Sequence, residues 1–304
     1  MDLSLSEDQL ALLAEIEKLA APYQSSPVDF HGFALFSEEL ERALEEAQYY
    51  EIAAYPEMGG AVSAALVVER LARLPWTAEV ALSMLVRPHL APDSPRPWGI
   101  VENGRPGRFV ARARTLLVVE GERVGLAQPR PEQLEALPDS LYAYPMGRLA
   151  GEVAVDWLDA EGAERARTWL RVACAAEMAG LLRAAIDLTV EHLSTRKQFG
   201  RPLGTFQALR HRLAECEVLA GGTRWLALKA AASGDPGDAA LAAHHAQDAA
   251  TRTAYDVHQM CGAMGMTLEM DLHLWTYRMK ALLSELGGRA GQAEAVAAHW
   301  FGTG

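Results

Sequence analysis

Thr195-Arg196-Lys197-Gln198-Phe199-Gly200-Arg201-Pro202-Leu203-Gly204-Thr205-Phe206-Gln207 stands between two long apolar stripes in the second half of the chain. Upstream, Val172, Ala176, Ala179, Leu182, Ile186, Val190 and Leu193 recur at helical spacing and form one face that needs partners to bury it. Downstream, Phe206 to Leu228 supplies a second stripe. Gly234-Asp235-Pro236-Gly237-Asp238 then marks a turn, and Ala239 to Met260 is Ala-rich enough for close helix packing. From about Ala163 onward the sequence therefore reads as an antiparallel helix bundle.

The first half is organised differently. Leu10, Leu13, Ile16 and Leu19 lie at helical spacing, with Ser6 as an N-cap before Glu7-Asp8. A second helix is expected from about Ser37 to Tyr49. After the turn signal Pro56-Glu57-Met58-Gly59-Gly60, a third is expected over Val62 to Leu74. Composition changes at Pro88. The prolines of Ala91-Pro92-Asp93-Ser94-Pro95-Arg96-Pro97 withhold too many backbone donors for helix or central strand, so this stretch reads as a linker. Asn103-Gly104 is a turn signal, Phe109 to Ala113 alternates, and Thr115 to Val119 is a compact apolar run. Val124 to Ala127 and Val153 to Trp157 could add strands. The expectation is a mainly α chain with a helical domain over 1–90, a reduced β domain over 91–159 and a helical bundle over 160–304.

Charge and cysteines remove several function classes. The formal net charge is −12 over 304 residues, and no Lys/Arg stripe with interleaved aromatics breaks the acidity, so nucleic acid is not an expected partner. Basic residues do gather at Arg196-Lys197, Arg201 and Arg210 to Arg212. Such a cluster either meets an anion or is simply a solvated helix end. Cys174, Cys216 and Cys261 stand apart, as buried thiols would. His244-His245 has no third ligand at convincing spacing, so no metal is expected. No apolar run reaches the roughly 20 residues that span a bilayer. The opening carries Asp2, Glu7 and Asp8 instead of a basic leader, and a cytoplasmic location is expected.

The quoted segment, with its continuation Ala208-Leu209-Arg210-His211-Arg212-Leu213-Ala214-Glu215, resembles the signature between two bundle helices of the acyl-CoA dehydrogenases. Gln259-Met260-Cys261-Gly262-Ala263-Met264-Gly265-Met266-Thr267, the run Glu269 to Leu274 and the opening Leu3 to Gln9 resemble that family too. The likeness is strong after Thr168 and faint between Pro88 and Asp159. It implies an acyl-CoA dehydrogenase-like fold, assembled as a tetramer of paired dimers, in which each FAD is shared by two subunits. One chain's β domain carries the flavin ring, and the neighbour's bundle clasps the pyrophosphate and adenosine half. Position by position, Arg196 matches the arginine that meets the pyrophosphate. Gln198, Phe199 and Gln207 match further cofactor positions, and Gln259, Gly262 and Ala263 match the second clasping segment. These types suit the task, because a guanidinium offers planar donors to phosphate, glycine allows close approach, and amides satisfy ribose or adenine edges.

Two departures shape the functional expectation. The family's α,β-desaturation of an acyl-CoA thioester needs a glutamate beside the flavin. The two positions that carry it elsewhere are Leu170, followed by Arg171, and Leu286 in this chain. Glu285 lies one residue away, but Leu282, Leu283 and Leu286 read as a continuing helix face on which Glu285 is a solvated carboxylate. Glu269, Glu177 and Glu164 are other carboxylates nearby in sequence. The family's Gly-Ser-rich capping loop has no counterpart between Leu90 and Asn103, and Gly107-Arg108-Phe109-Val110 is left as a remnant of the wall behind the ring. The expectation is a shortened subunit without a catalytic residue of its own. It would pair with a longer acyl-CoA dehydrogenase subunit as an α2β2 heterotetramer, act in lipid or steroid catabolism, and pass electrons to an electron-transfer flavoprotein. The rival expectations are a self-sufficient homo-oligomeric enzyme and a flavin-free interaction subunit.

Overall fold

A computed structural model describes residues 4–56 and 59–302. Met1, Asp2 and Leu3 of the opening, and Glu57 and Met58 of the expected turn, lie outside the described residues. The N-terminal helices are α1 (Glu7–Ala20), α2 (Glu38–Glu46), α3 (Gly60–Ala72) and the short α4 (Arg87–Leu90), which follows a π-helical turn at Leu82–Val86. Ser6 caps α1 through a reciprocal box with Gln9. Helix α2 stops before Tyr49 because Gln48 adopts a left-handed conformation at φ 59°. The buried π turn, Leu82 to Val86, lies in a stretch where the sequence offered no periodic signal.

Two small sheets follow. Strands β1 (Trp98–Glu102), β3 (Thr115–Glu120), β4 (Arg123–Ala127) and β7 (Asp156–Trp157) form one sheet in that order. Strands β2 (Gly107–Arg108), β6 (Met146–Leu149) and β5 (Leu134–Ala136) form the other. The β1–β3 pair is parallel and the remaining pairs are antiparallel. The expected strand Phe109 to Ala113 is not one. Phe109 sits at φ 60° and Val110–Arg112 is a 3-10 turn, because the Phe109 ring folds inward against Tyr144, 5.5 Å between centroids. Gly107 tolerates no side chain, since a Cβ there would lie 1.7 Å from the Ile100 carbonyl oxygen. That contact brings β2 against β1 and turns Arg108 toward the bundle.

Helix α5 (Ala160–Thr195), capped by Asp159, runs through the molecule and packs against α3, α6 (Gln207–Ser233), α7 (Pro236–Cys261) and α8 (Leu272–Leu282). It is small or apolar on nearly every face because it has neighbours on nearly every face. Val190, in the expected stripe, is 40% exposed, since it falls beyond the cover of those neighbours. At Gly180 an added Cβ would meet the Glu69 carbonyl oxygen at 2.1 Å, so α3 and α5 touch backbone to backbone. The hairpin β8 (Lys197–Gln198) and β9 (Arg201–Pro202) joins α5 to α6, and α9 (Gly288–Phe301) closes the chain onto α7. Helix α8 ends at Leu282, so the expected continuation of its apolar face through Leu286 is overturned. Leu286 takes φ 53° and Gly287 φ 77°, which folds the chain back into α9.

Candidate functional site

The hairpin between α5 and α6 reverses the chain, and the turn before Pro236 reverses it again, so α5 and α7 run parallel and end together. A contact of 3.7 Å between Cys261 Sγ and Thr189 Oγ1 joins their C-terminal ends. Arg196, Gln198, Phe199, Gln207, Gln259, Gly262 and Ala263 are thereby all carried at one end of the bundle, by the hairpin, the start of α6 and the end of α7. Lys197 pairs with Pro202 and Gln198 with Arg201, and two left-handed residues, Phe199 at φ 54° and Gly200 at φ 78°, make the turn. That turn holds the Phe199 ring 88% exposed, edge-on to Phe206 at 6.0 Å, while the Arg201 guanidinium lies 4.1 Å over the Phe206 ring. Among the described residues the Arg196 guanidinium has no hydrogen-bond or ion-pair partner; only its backbone N–H is used, on His192.

The segment after α7 is fixed from the inside. His258 bonds the Gly265 carbonyl through Nδ1 at 2.8 Å and Thr276 Oγ1 through Nε2 at 2.9 Å, tying the turn that follows Gly262 to α8. Burial lowers the pKa of this imidazole. Gly262, at φ 60°, and Gly200 have open space where a side chain would stand. An unpaired guanidinium, an exposed ring and open glycine backbone fit the phosphate and adenosine half of a dinucleotide. His244 and His245 do not converge, since they bond the Arg289 and Leu219 carbonyls respectively.

A second constellation lies where β2 meets the bundle. Arg108 is 2% exposed and donates from Nε to Glu285 Oε1 at 2.6 Å, from Nη2 to Glu285 Oε2 at 3.4 Å and from Nη1 to Glu177 Oε2 at 3.1 Å. The Tyr144 hydroxyl donates to Glu177 Oε1 at 2.9 Å. Burial alone would push the guanidinium pKa down, but Glu285 and Glu177 overcome it and hold Arg108 well above its ordinary value. Burial pushes Glu285 up, against the pull of Arg108. The expectation of a solvated Glu285 is thus overturned: the turn after α8 points its carboxylate inward, 7% exposed, onto an internal cation. Glu164 and Glu269 remain exposed.

The two positions that carry a glutamate elsewhere hold no acid. Leu170 is 1% exposed in the core of α5. Arg171 donates from Nε to Gln292 Oε1 at 2.8 Å, and burial pushes its pKa down. The Leu286 and Gly287 N–H groups donate to the Glu102 carboxylate at 2.9 and 3.2 Å. Two cavities flank this turn, one of about 830 Å³ beside Arg108 and Glu285, the other of about 740 Å³ beside Arg171 and Leu286. Glu102 and Tyr144 carried no sequence signal, and Arg108 was visible only as part of a wall remnant. Its partner lies 177 residues away, and no local pattern couples them.

Helices on either side of two small sheets, ending in a bundle with this hairpin, define the acyl-CoA dehydrogenase fold. The whole chain superposes on a chain of the ChsE4-ChsE5 complex from Mycobacterium tuberculosis with TM-score 0.78 and 20% identity, covering 100% of both. A chain of the Tcur3481-Tcur3483 steroid ACAD matches with TM-score 0.75 at 19% identity over 97% of this chain and 98% of that one. Residues 162–300, the bundle, match the family described as acyl-CoA dehydrogenase, C-terminal domain. In sequence, the chain is 38% identical over 104 residues to acyl-CoA dehydrogenase IpdE2 of Mycobacterium tuberculosis, a match covering 34% of this chain and 33% of that protein. Among the described residues, no helix is long and apolar enough to cross a membrane.

Proposed function

We propose that this chain is a subunit of a flavin-dependent, heteromeric acyl-CoA dehydrogenase, clasping an FAD whose ring and catalytic carboxylate belong to a longer partner subunit in a cytoplasmic α2β2 assembly. The observation that carries this reading is the Arg108–Glu285 pair: the nearest carboxylate to the base position is committed to a buried cation, while Leu170 and Leu286 occupy the base positions. When bound, the flavin accepts the β-hydride of an acyl-CoA thioester as a carboxylate takes the α-proton. In this chain Arg196 would hold the pyrophosphate. Phe199 would wall one side, and Gln198, Gln207 and Gln259 would satisfy sugar or adenine edges. Gly262 and Ala263 would let the backbone approach. Similarity to the ChsE4-ChsE5 complex and to a steroid ACAD supports a heteromer and suggests bulky, steroid-like acyl groups. An electron-transfer flavoprotein would then be the electron acceptor.

The test is flavin stoichiometry after co-expression with the products of neighbouring genes. The expected outcome is a yellow complex with about one FAD per two chains and a colourless isolated subunit. A yellow, acyl-CoA-bleachable preparation of the chain alone would establish a self-sufficient homo-oligomer instead. A colourless complex would leave a flavin-free interaction subunit.

A further inference from the structure

The two successive N–H groups of Leu286 and Gly287 converge on one side of a left-handed turn, at φ 53° and 77°, and such a nest of amides favours an anion. The anion it holds is internal. Glu102, the last residue of β1, places its carboxylate on both amides, at 2.9 and 3.2 Å. Glu102 borders both cavities, and the two residues whose amides it accepts from line the smaller one. Each cavity also presents a cation with unused donors. Arg105 is exposed at the edge of the larger cavity, and among the described residues its side chain has no partner. Arg171, 7% exposed, uses only Nε, and its two terminal amino groups have no partner among the described residues at the edge of the smaller cavity.

The other charges nearby are mostly matched. Glu285 and Glu135 at the larger cavity are paired with Arg108 and Arg148, and Asp139 stands exposed on its rim. Glu122 and Glu164 at the smaller cavity are paired with Arg167. Arg105 follows Glu102 by three residues across a turn in which the Arg105 N–H donates to the Glu102 carbonyl at 3.0 Å. Arg105 and Glu102 both line the larger cavity, so a Glu102 side chain that leaves the nest shares that cavity with a cation. Ile100, Leu137 and Met146 line the larger cavity as an apolar wall.

We propose that the Leu286–Gly287 nest is a binding site for a carboxylate on an apolar chain, and that Glu102 is an internal stand-in that a ligand displaces onto Arg105. The site already holds a carboxylate by the two bonds a ligand would use, so no new geometry is required. Occupancy is a competition: the ligand's carboxylate must outbid a tethered one, and weakening the tethered one strengthens the ligand. This inference does not depend on the flavin reading, since it concerns binding to the full chain in whatever assembly it purifies.

Calorimetric titration with octanoate, and with octanamide as its neutral counterpart, tests it. Octanoate should bind the unmodified chain more tightly than octanamide. Glu102→Gln, which keeps the shape but removes the competing charge, should tighten octanoate about tenfold, equivalent to roughly 1.4 kcal/mol. Arg105→Ala, a change at an exposed residue that leaves the fold unaffected, should weaken octanoate by about threefold or more, because displaced Glu102 loses its resting place. Equal binding of octanoate and octanamide, or octanoate affinity unchanged in either variant, overturns the proposal. If Glu102→Gln melts well below the parent, the Arg105→Ala titration and the amide comparison decide.

Discussion

Arg108 Nε lies 2.6 Å from Glu285 Oε1, which locks the second strand of the β region onto the turn that ends α8. The pair is nearly sealed from solvent, and a second carboxylate, Glu177 on α5, shares the same guanidinium at 3.1 Å. Glu177 also accepts from the Tyr144 hydroxyl and feels the buried Arg278 guanidinium, so two carboxylates face two cations in the interior. Ion pairs of this kind seldom stabilise more than a packed apolar group would, but once built they are costly to break from one side. The consequence for chemistry is one of position: burial raises the Glu285 pKa, but both of its oxygens are engaged by the Arg108 guanidinium, so the carboxylate is held on an internal partner.

Arg108→Ala should therefore destabilise the chain by about 3–5 kcal/mol, because it leaves Glu285 buried without the guanidinium that pairs with it and Glu177 with only the charge of Arg278. Urea unfolding at neutral pH measures this. A loss under about 1 kcal/mol would mean that water reaches the cluster and screens it.

Glu285→Gln in the assembled complex should leave turnover within about threefold of the parent, under 1 kcal/mol of barrier. Removing a true general base costs on the order of 10² to 10⁴ in rate. Anaerobic flavin bleaching by acyl-CoA, followed by steady-state turnover with an external acceptor, separates the two. A hundredfold loss at unchanged flavin content would return the chemistry to this chain.

Arg196→Ala should lower the flavin content of the complex while leaving the melting temperature of the isolated chain unchanged, since the guanidinium makes no hydrogen bond or ion pair among the described residues. A charge-assisted contact to phosphate is worth about 1.5–3 kcal/mol, so retention at low cofactor concentration should fall about tenfold or more. Full occupancy in the variant would show that the hairpin is not part of the clasp.

Glu41 supplies a pH signature. Burial raises its pKa from 4.5 to about 7, although its carboxylate accepts the Glu79 N–H at 2.7 Å. The folded pKa is the higher one, so the protonated form favours folding: the stability it contributes is full below the unfolded value and is lost as pH rises through 7. Glu41→Gln, which imitates the protonated form, should gain on the parent as pH rises from 4.5 to 7, by at most about 1.4 kcal/mol per pH unit, and level off above that range. Denaturation curves of the two proteins that stay parallel across that range would show Glu41 to be ionised throughout.

The sequence by itself determined the bundle and the end at which its candidate cofactor residues gather. Helical periodicity and the turn residues are local properties, and they place α5, α6 and α7 to within a few residues, while the caps at Asp159 and Asp235 that start two of them are seen in the structure. Once three helices alternate direction through short connections, the hairpin at Arg196 to Arg201 and the turn after Cys261 must fall at the same end, so seven candidate residues gathered without any long-range information. The expected strand at Phe109 and the expected helix through Leu286 failed for the opposite reason. Both positions adopt left-handed backbone that their own side chains disfavour, and only contacts made elsewhere in the molecule hold them there. Whether Glu285 faced water or a cation was likewise undecidable from its neighbours. Charge pairing in a low-dielectric interior depends on distance in space, and the Arg108 that neutralises Glu285 arrives from a strand 177 residues away. Tertiary structure alone placed that arginine, because it is the close approach of β2 to β1 at Gly107 that turns it inward.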